Sequence, residues 1–185
     1  NLEAAGVKLC GHYVETDVFL QTANPKIYAA GDVNGGYLFT HVASYEGKLV
    51  ADNIFGKNSM PSRPKVVPRC TYIDPEVASA GMTTAEAVQF GVNVGVQIFP
   101  FSYSDRAIIY GDSRGFVKLI SDLDDDKLIG AHIISHAASS LIAEAALAIQ
   151  HDLPASAIAE TMHAYPSFPE AVESAALAEI VRTDQ

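Results

Sequence analysis

The sequence predicts an α+β fold for its larger part, residues 65–185, preceded by a shorter strand–turn–helix segment over 1–56. Three observations carry this. Strand-like runs recur at 66–73, 77–82, 94–102, 115–121 and 128–134, separated by turn formers. Helical spacing then takes over in an Ala-rich stretch at 138–150. Between the two parts, residues 57–64 hold Pro61 and Pro64 among turn-forming residues and read as a linker. With 49% hydrophobic and 18% charged residues, the chain of 185 residues has the composition of a packed core rather than of a disordered segment.

Each element has its own signal. Residues 12–18 contain a short strand candidate, and Asn24-Pro25-Lys26 is a turn. The apolar run Ile27–Ala30 ends in Gly31-Asp32, which reads as a buried strand emerging into a loop, with Asn34-Gly35-Gly36 as the turn. Over 38–55 the apolar positions Leu38, Val42, Tyr45, Leu49, Val50 and Ile54 have helical spacing, and Gly56 suits a helix stop. Thr83 and Glu86 have capping-box spacing for a short helix through Phe90, closed by Gly91. The acidic run 122–127 lacks the alternating ligands and terminal glutamate of a calcium loop, so it reads as a hairpin turn. Pro154 opens a short helix at 154–161, and Pro169 at the first helical position opens a last helix over 169–182.

Charge narrows the function classes. Twelve basic against 22 acidic residues give a net charge of −10 with no basic run. That argues against nucleic acid and against an anionic membrane surface, both of which need clustered cations. Cys10 and Cys70 form neither a disulfide framework nor a metal site and read as buried small hydrophobes, so no metal is expected. No leader pattern opens the chain, so a cytoplasmic location is expected, and the opening Asn1 reads as a cut end.

Two constellations carry chemistry. The first is Thr22-x-x-Pro25-x-Ile27-Tyr28-Ala29-x-Gly31-Asp32, in which a strand delivers a carboxylate beside a glycine that permits close ligand approach. It continues as Phe39-Thr40-His41-x-Ala43-x-x-Glu46-Gly47, with Thr40 placed to cap the helix. The second is His163-Ala164-Tyr165-Pro166-Ser167-Phe168-Pro169-Glu170. Between them stand Val67-Pro68-x-Cys70-x-Tyr72-x-x-Pro75-Glu76, Gly115-Phe116-Val117-Lys118, Gly130-Ala131-His132-Ile133 and Glu144-Ala145-Ala146-Leu147. These motifs, in this order, resemble the pyridine nucleotide–disulfide oxidoreductases over nearly the whole chain.

The resemblance implies more than the residues alone. It makes 1–56 the end of an α/β FAD-binding domain and 65–185 an interface domain with a mostly antiparallel sheet and helices. The implied cofactor-binding residues are Gly31, Asp32, Thr40 and His41, with Asp32 on the ribityl chain of FAD and the Thr40 backbone facing the flavin ring. The family's Gly-x-Gly-x-x-Gly fingerprints and Cys-x4-Cys disulfide do not occur in this sequence. The chain is therefore expected to be the C-terminal part of a longer enzyme that uses FAD and NAD(P), and to be inactive and without flavin by itself. The implied partner is a second copy of the chain, with a lipoyl-bearing protein as a further partner of the longer enzyme.

At the terminal motif, dihydrolipoyl dehydrogenases carry a proton-transferring His where this chain has Tyr165. The implied catalytic residues are Tyr165, Glu170 and His163. A phenol titrates near pH 10, so Tyr165 is a poor base and a better hydrogen-bond donor. In the alternative reading, Tyr165 and Glu170 only pack and cap the last helix. Mercuric reductase-like and soluble transhydrogenase-like members also have Tyr-Pro here, so those activities stand as alternatives, as does a non-catalytic dimerisation module.

Overall fold

The structure, a computed structural model, describes residues 1–56 and 61–183. Its contacts divide into two compact units, Asn1–Pro64 and Lys65–Gln185. Of the linker expected over 57–64, residues 57–60 lie outside the described residues, and 61–64 group with the first unit.

The first unit is held by few elements. Strands β1 (Leu9–Cys10) and β2 (Tyr13–Val14) pair as an antiparallel hairpin. Val7, Val14 and Ala29 form its small core with Ala5 and Ile27. The buried strand expected at 27–32 is not there as a strand. Tyr28 makes one isolated bridge to Gln21, and the chain then enters a 3₁₀ turn over Gly31–Asn34. A strand needs a ladder partner for its amides and carbonyls, and beyond that bridge none flanks this segment among the described residues. Helix α1 (Thr40–Phe55) starts two residues later than its apolar spacing suggests and buries Val42, Glu46 and Leu49. Its N-cap is Phe39, not Thr40, and no side chain caps it. Gly56 ends it in an extended conformation at φ −79°, not the left-handed one of a glycine stop. Cys10 is exposed on this edge hairpin, contrary to the buried thiol expected; Cys70 is part-buried in the second unit, where burial, then the charge of Glu76, pushes its thiol up.

The second unit has the expected α+β architecture. Strands β3 (Arg69–Thr71), β4 (Glu76–Gly81), β5 (Val94–Pro100), β6 (Phe116–Asp122), β7 (Lys127–Ser135) and β8 (Val181–Arg182) form one antiparallel sheet in the order β3-β4-β7-β6-β5-β8. Helix α4 (Ala138–Gln150) and helix α6 (Glu170–Leu177) bury alanines and branched residues against Ala78, Ala80, Val117, Leu119, Ala131 and Ile133. Helix α2 (Thr84–Gln89) shares a second, smaller core with Val94, Val96 and Ile120. Alternate residues of a strand point to opposite faces, so Leu119 and Ile120 serve different cores.

The acidic run turns as a β6–β7 hairpin, with Asp122 paired to Lys127 and Asp122 Oδ1 accepting the Asp124 amide at 3.0 Å. Helix α3 (Asp105–Tyr110) follows Ser104, whose Oγ accepts the Ala107 amide at 3.4 Å, and ends at Gly111 in the left-handed region at φ 84°. Helix α5 (Ala155–Ala159) is shorter than the expected 154–161, with Pro154 as its N-cap.

The last helix departs most from expectation. It stops at Leu177 instead of running to 182, and Pro169 is its N-cap. Gln97, buried on β5, donates through Nε2 to the carbonyls of Ala176 at 2.7 Å and Ala178 at 2.9 Å. The chain then leaves the helix, and Val181 and Arg182 pair with Val96 and Gly95 as the edge strand β8. A tertiary hydrogen bond thus ends a helix that its own sequence would continue.

The capping box at α2 is complete: the Glu86 amide donates to Thr83 Oγ1 at 3.2 Å and the Thr83 amide to Glu86 Oε2 at 2.7 Å. Replacing Thr83 by Ala is expected to cost about 1 kcal/mol, a fall of roughly 2–4 °C in melting temperature for a chain of this size. The neighbouring Thr84 hydroxyl is buried without a partner among the described residues. Thermal melts of Thr83→Ala and Thr84→Ala should therefore differ, and equal losses would remove the box as the cause.

Candidate functional site

In the first unit the site is built around a buried carboxylate. Glu46 lies on the inward face of α1, one turn after Val42 and three residues before Leu49. Its Oε2 accepts the Gly31 amide at 2.7 Å and the Asn34 side-chain amide at 3.1 Å. Gly31 sits at φ 79°, and a Cβ there would lie 2.8 Å from the Ala43 Cβ. Only glycine both reaches this conformation and lets the 3₁₀ turn approach α1 so closely. Asp32, next in the chain, has an exposed carboxylate. Thr40 and His41 are exposed in the first turn of α1, where the His41 ring stacks on Phe39 at 5.3 Å. Among the described residues, the first amides of α1 receive no side-chain cap. An exposed carboxylate beside an uncapped helix start suits a ligand with both hydroxyl and acceptor groups.

In the second unit the terminal motif lies between α5 and α6, and its three candidate residues face different ways. His163 turns inward, its side chain 7% exposed. Its Nε2 lies 2.9 Å from Glu144 Oε1 on α4, and its Nδ1 lies 2.7 Å from the Thr161 carbonyl and 3.3 Å from Glu173 Oε2 on α6. Burial is the largest single influence and lowers its pKa. The hydrogen bond and charge of Glu144, the Thr161 carbonyl and the charge of Glu173 together outweigh that and hold it above its ordinary value. With both ring nitrogens engaged, His163 ties the motif to two helices.

Tyr165 points outward and is 72% exposed. Its hydroxyl donates to Asp105 Oδ2 at 2.9 Å. That hydrogen bond, then the charge of Asp105, with smaller effects from burial and from Glu170, raises the phenol above its ordinary value. Glu170 is the first residue of α6 and accepts the Ser167 amide at 2.5 Å. Tyr165 and Glu170 line one cleft of about 110 Å³ with Phe99, Tyr103, Asp105 and Ser174; His163 is not among its lining residues. The structure therefore brings Tyr165 and Glu170 together and sets His163 apart.

Four residues that anchor the candidate residues carried no assigned role in the sequence reading: Glu46 and Glu144, which stand within its motifs, and Asp105 and Glu173. Glu46 had a readable signal, a carboxylate between Val42 and Leu49 on an apolar helix face. Asp105 had a weaker one, a Ser-Asp start followed by a short apolar run and Gly111. Glu144 and Glu173 look like ordinary exposed helix charges until the fold brings His163 between them.

Residues 67–176 match the model described as "Pyridine nucleotide-disulphide oxidoreductase, dimerisation domain", and residues 1–47 match "Pyridine nucleotide-disulphide oxidoreductase". A dihydrolipoyl dehydrogenase of Chlorobaculum tepidum is 41% identical over 175 residues, 95% of this chain and 37% of that protein. A mercuric reductase of Staphylococcus aureus is 38% identical over 178 residues, 96% of this chain and 32% of that protein. Among solved structures, the HOCl-induced flavoprotein disulfide reductase RclA from Escherichia coli superposes with a TM-score of 0.90 at 26% identity, over 95% of this chain and 41% of that one. The chain thus spans about a third of the length of the curated relatives it matches.

The environment of His163 fixes a pH dependence. A group whose folded pKa is raised contributes stability that is full below its unfolded value, near 6.5, and is lost as pH rises through the folded value. His163→Gln is expected to cost about 1.5–3 kcal/mol at pH 6 and less at pH 8. Urea midpoints at the two pH values test this, and a loss independent of pH would show that His163 acts through packing alone.

Proposed function

We propose a function from one premise: the chain belongs to the pyridine nucleotide-disulphide oxidoreductase family. In this reading it is the C-terminal part of a longer FAD-dependent NAD(P)H:disulfide oxidoreductase resembling dihydrolipoyl dehydrogenase. It supplies the surface on which two copies associate and the acid–base end of the active site. The observation that carries the reading is the terminal motif, which offers an exposed Tyr165 hydroxyl at a cleft shared with Glu170.

The residues of the first unit fit one edge of a flavin site. Asp32 would hold the hydroxyl-rich chain of the cofactor, and the uncapped amides of α1 at Thr40 and His41 would face its polar ring atoms. Gly31, kept against Ala43 and tied to Glu46, sets where Asp32 emerges. FAD, when bound, supplies the hydride and electron chemistry. At the other end, Tyr165 works as a neutral phenol held by Asp105. It orients a reacting group but carries no proton between pH 6 and 8. His163 does not take over that task, because both its nitrogens are engaged.

Tyr165 itself favours a second reading. A mercuric reductase-like or soluble transhydrogenase-like activity needs no imidazole at this position, so the missing base handicaps only thiol oxidation. Taken by itself, the chain works as a dimerisation module.

Two outcomes test these readings. In sedimentation at micromolar concentration the chain is expected to run as a dimer, and a monomer would count against the self-association surface. In the longer enzyme, NAD(P)H should reduce the flavin while dihydrolipoamide turns over slowly. Tyr165→His should then raise that turnover by about 10²-fold or more. Brisk turnover of the unmodified enzyme would show that another group carries the proton.

A further inference from the structure

Tyr165 and Asp105 lie 60 positions apart in sequence and meet at 2.9 Å. A carboxylate accepts hydrogen bonds, and a phenol has one proton to give. With that proton turned toward Asp105 Oδ2, the hydroxyl keeps only lone pairs for a third group. Asp105 is itself well placed. It is the first residue of α3, directly after Ser104, whose Oγ takes the Ala107 amide and whose own side is buried. The rest of the cleft repeats the same polarity. Glu170 uses Oε2 on the Ser167 amide, which leaves Oε1 facing no donor among the described residues. Tyr103 and Ser174 add hydroxyls, which can donate as well as accept, and among the described residues no Lys, Arg or His lines the cleft. Phe99 and Tyr103 add aromatic surface, their rings 6.5 Å apart.

We infer that Asp105 is a positioning residue that orients the Tyr165 hydroxyl so that its lone pairs face the cleft, which thereby selects the hydrogen-bond-donating or cationic end of a co-substrate over an anionic end. This rests on the reading of the terminal motif as part of the active site and names the class of molecule that reaches it. Two carboxylates repel an anion, whereas an ammonium, guanidinium or amide gains charge-assisted hydrogen bonds and aromatic contact. A volume of about 110 Å³ has room for a group of that size.

The first measurement is the tyrosinate absorbance titration of the 185-residue chain, which needs neither flavin nor turnover. Asp105→Asn is expected to bring one phenol down toward the ordinary value near 10. Tyr165→Phe should remove that phenol from the high-pH limb, and in its background Asp105→Asn should change nothing. No shift, or a shift that survives Tyr165→Phe, overturns the positioning role. The second measurement follows the Tyr165 ring signals by NMR with butylammonium and butyrate as probes. Butylammonium should bind, about tenfold more weakly after Asp105→Asn, and butyrate should not. Butyrate binding as well as butylammonium overturns the selectivity. In the longer enzyme, Asp105→Asn should raise KM for the co-substrate more than it lowers kcat. If the titration and probe results hold while KM stays fixed, the assignment of the motif to the active site fails and the local chemistry of Asp105 stands.

Discussion

The close packing of small side chains between the sheet and α4 is the constraint on which the second unit depends. Ala78, Ala80 and Ala131 on the strands and Ala138 and Ala145 on the helix are all fully buried. Methyl against methyl brings the helix axis near the sheet, and a close-packed interior leaves little room for a larger side chain at any of these positions. That distance has consequences beyond the core. It fixes where Glu144 emerges from α4, Glu144 holds His163, and His163 sets the start of the segment that carries Tyr165. The placement of an exposed hydroxyl is thus decided by alanines it never touches.

Carboxylates are the anchors throughout. With 22 acidic residues against 12 basic ones, paired one to one, at least ten carboxylates have no Lys or Arg to meet. Glu46 takes the Gly31 amide, Glu170 the Ser167 amide, Glu76 the Ser139 amide and Asp17 the amides of Phe19 and Gln21. Each satisfies backbone donors that irregular chain or, at Ser139, the first turn of α4 leaves free. The exposed Asp74–Arg114–Asp112 cluster contributes little by comparison, because solvent screens it, although Arg114 lowers Asp112 to about 2.

What the sequence made legible was local. Strands β3 to β7, the capping box at Thr83 and the Ala-rich helix at 138–150 were readable because alternation, cap spacing and apolar spacing act within a few residues. The interface-domain resemblance was readable from motif order. The illegible parts depended on partners distant in sequence. The end of α6 lies with Gln97, some 80 positions away, and no local pattern signals it. The segment 27–32 has the composition of a buried strand but lacks flanking strands among the described residues. Of the candidate site, the positions of Asp32, Tyr165 and Glu170 were readable. The anchoring contacts of Glu46 and Asp105, and the inward turn of His163, came only with the fold.

The tie between Gln97 and the end of α6 also bears on how the molecule breathes. A helix near the end of a chain ordinarily frays, and its amides exchange with solvent at little cost. Here the final carbonyls of α6 are held by a buried side chain on β5, and β8 lies along the far edge of that same strand. Opening the last turn of α6 exposes the Gln97 amide without partners, so the turn and the strand open as one cooperative unit. The terminal helix thus shares the protection of the sheet, and the segment beginning at Tyr165 is bounded by a rigid element and not by a loose tail.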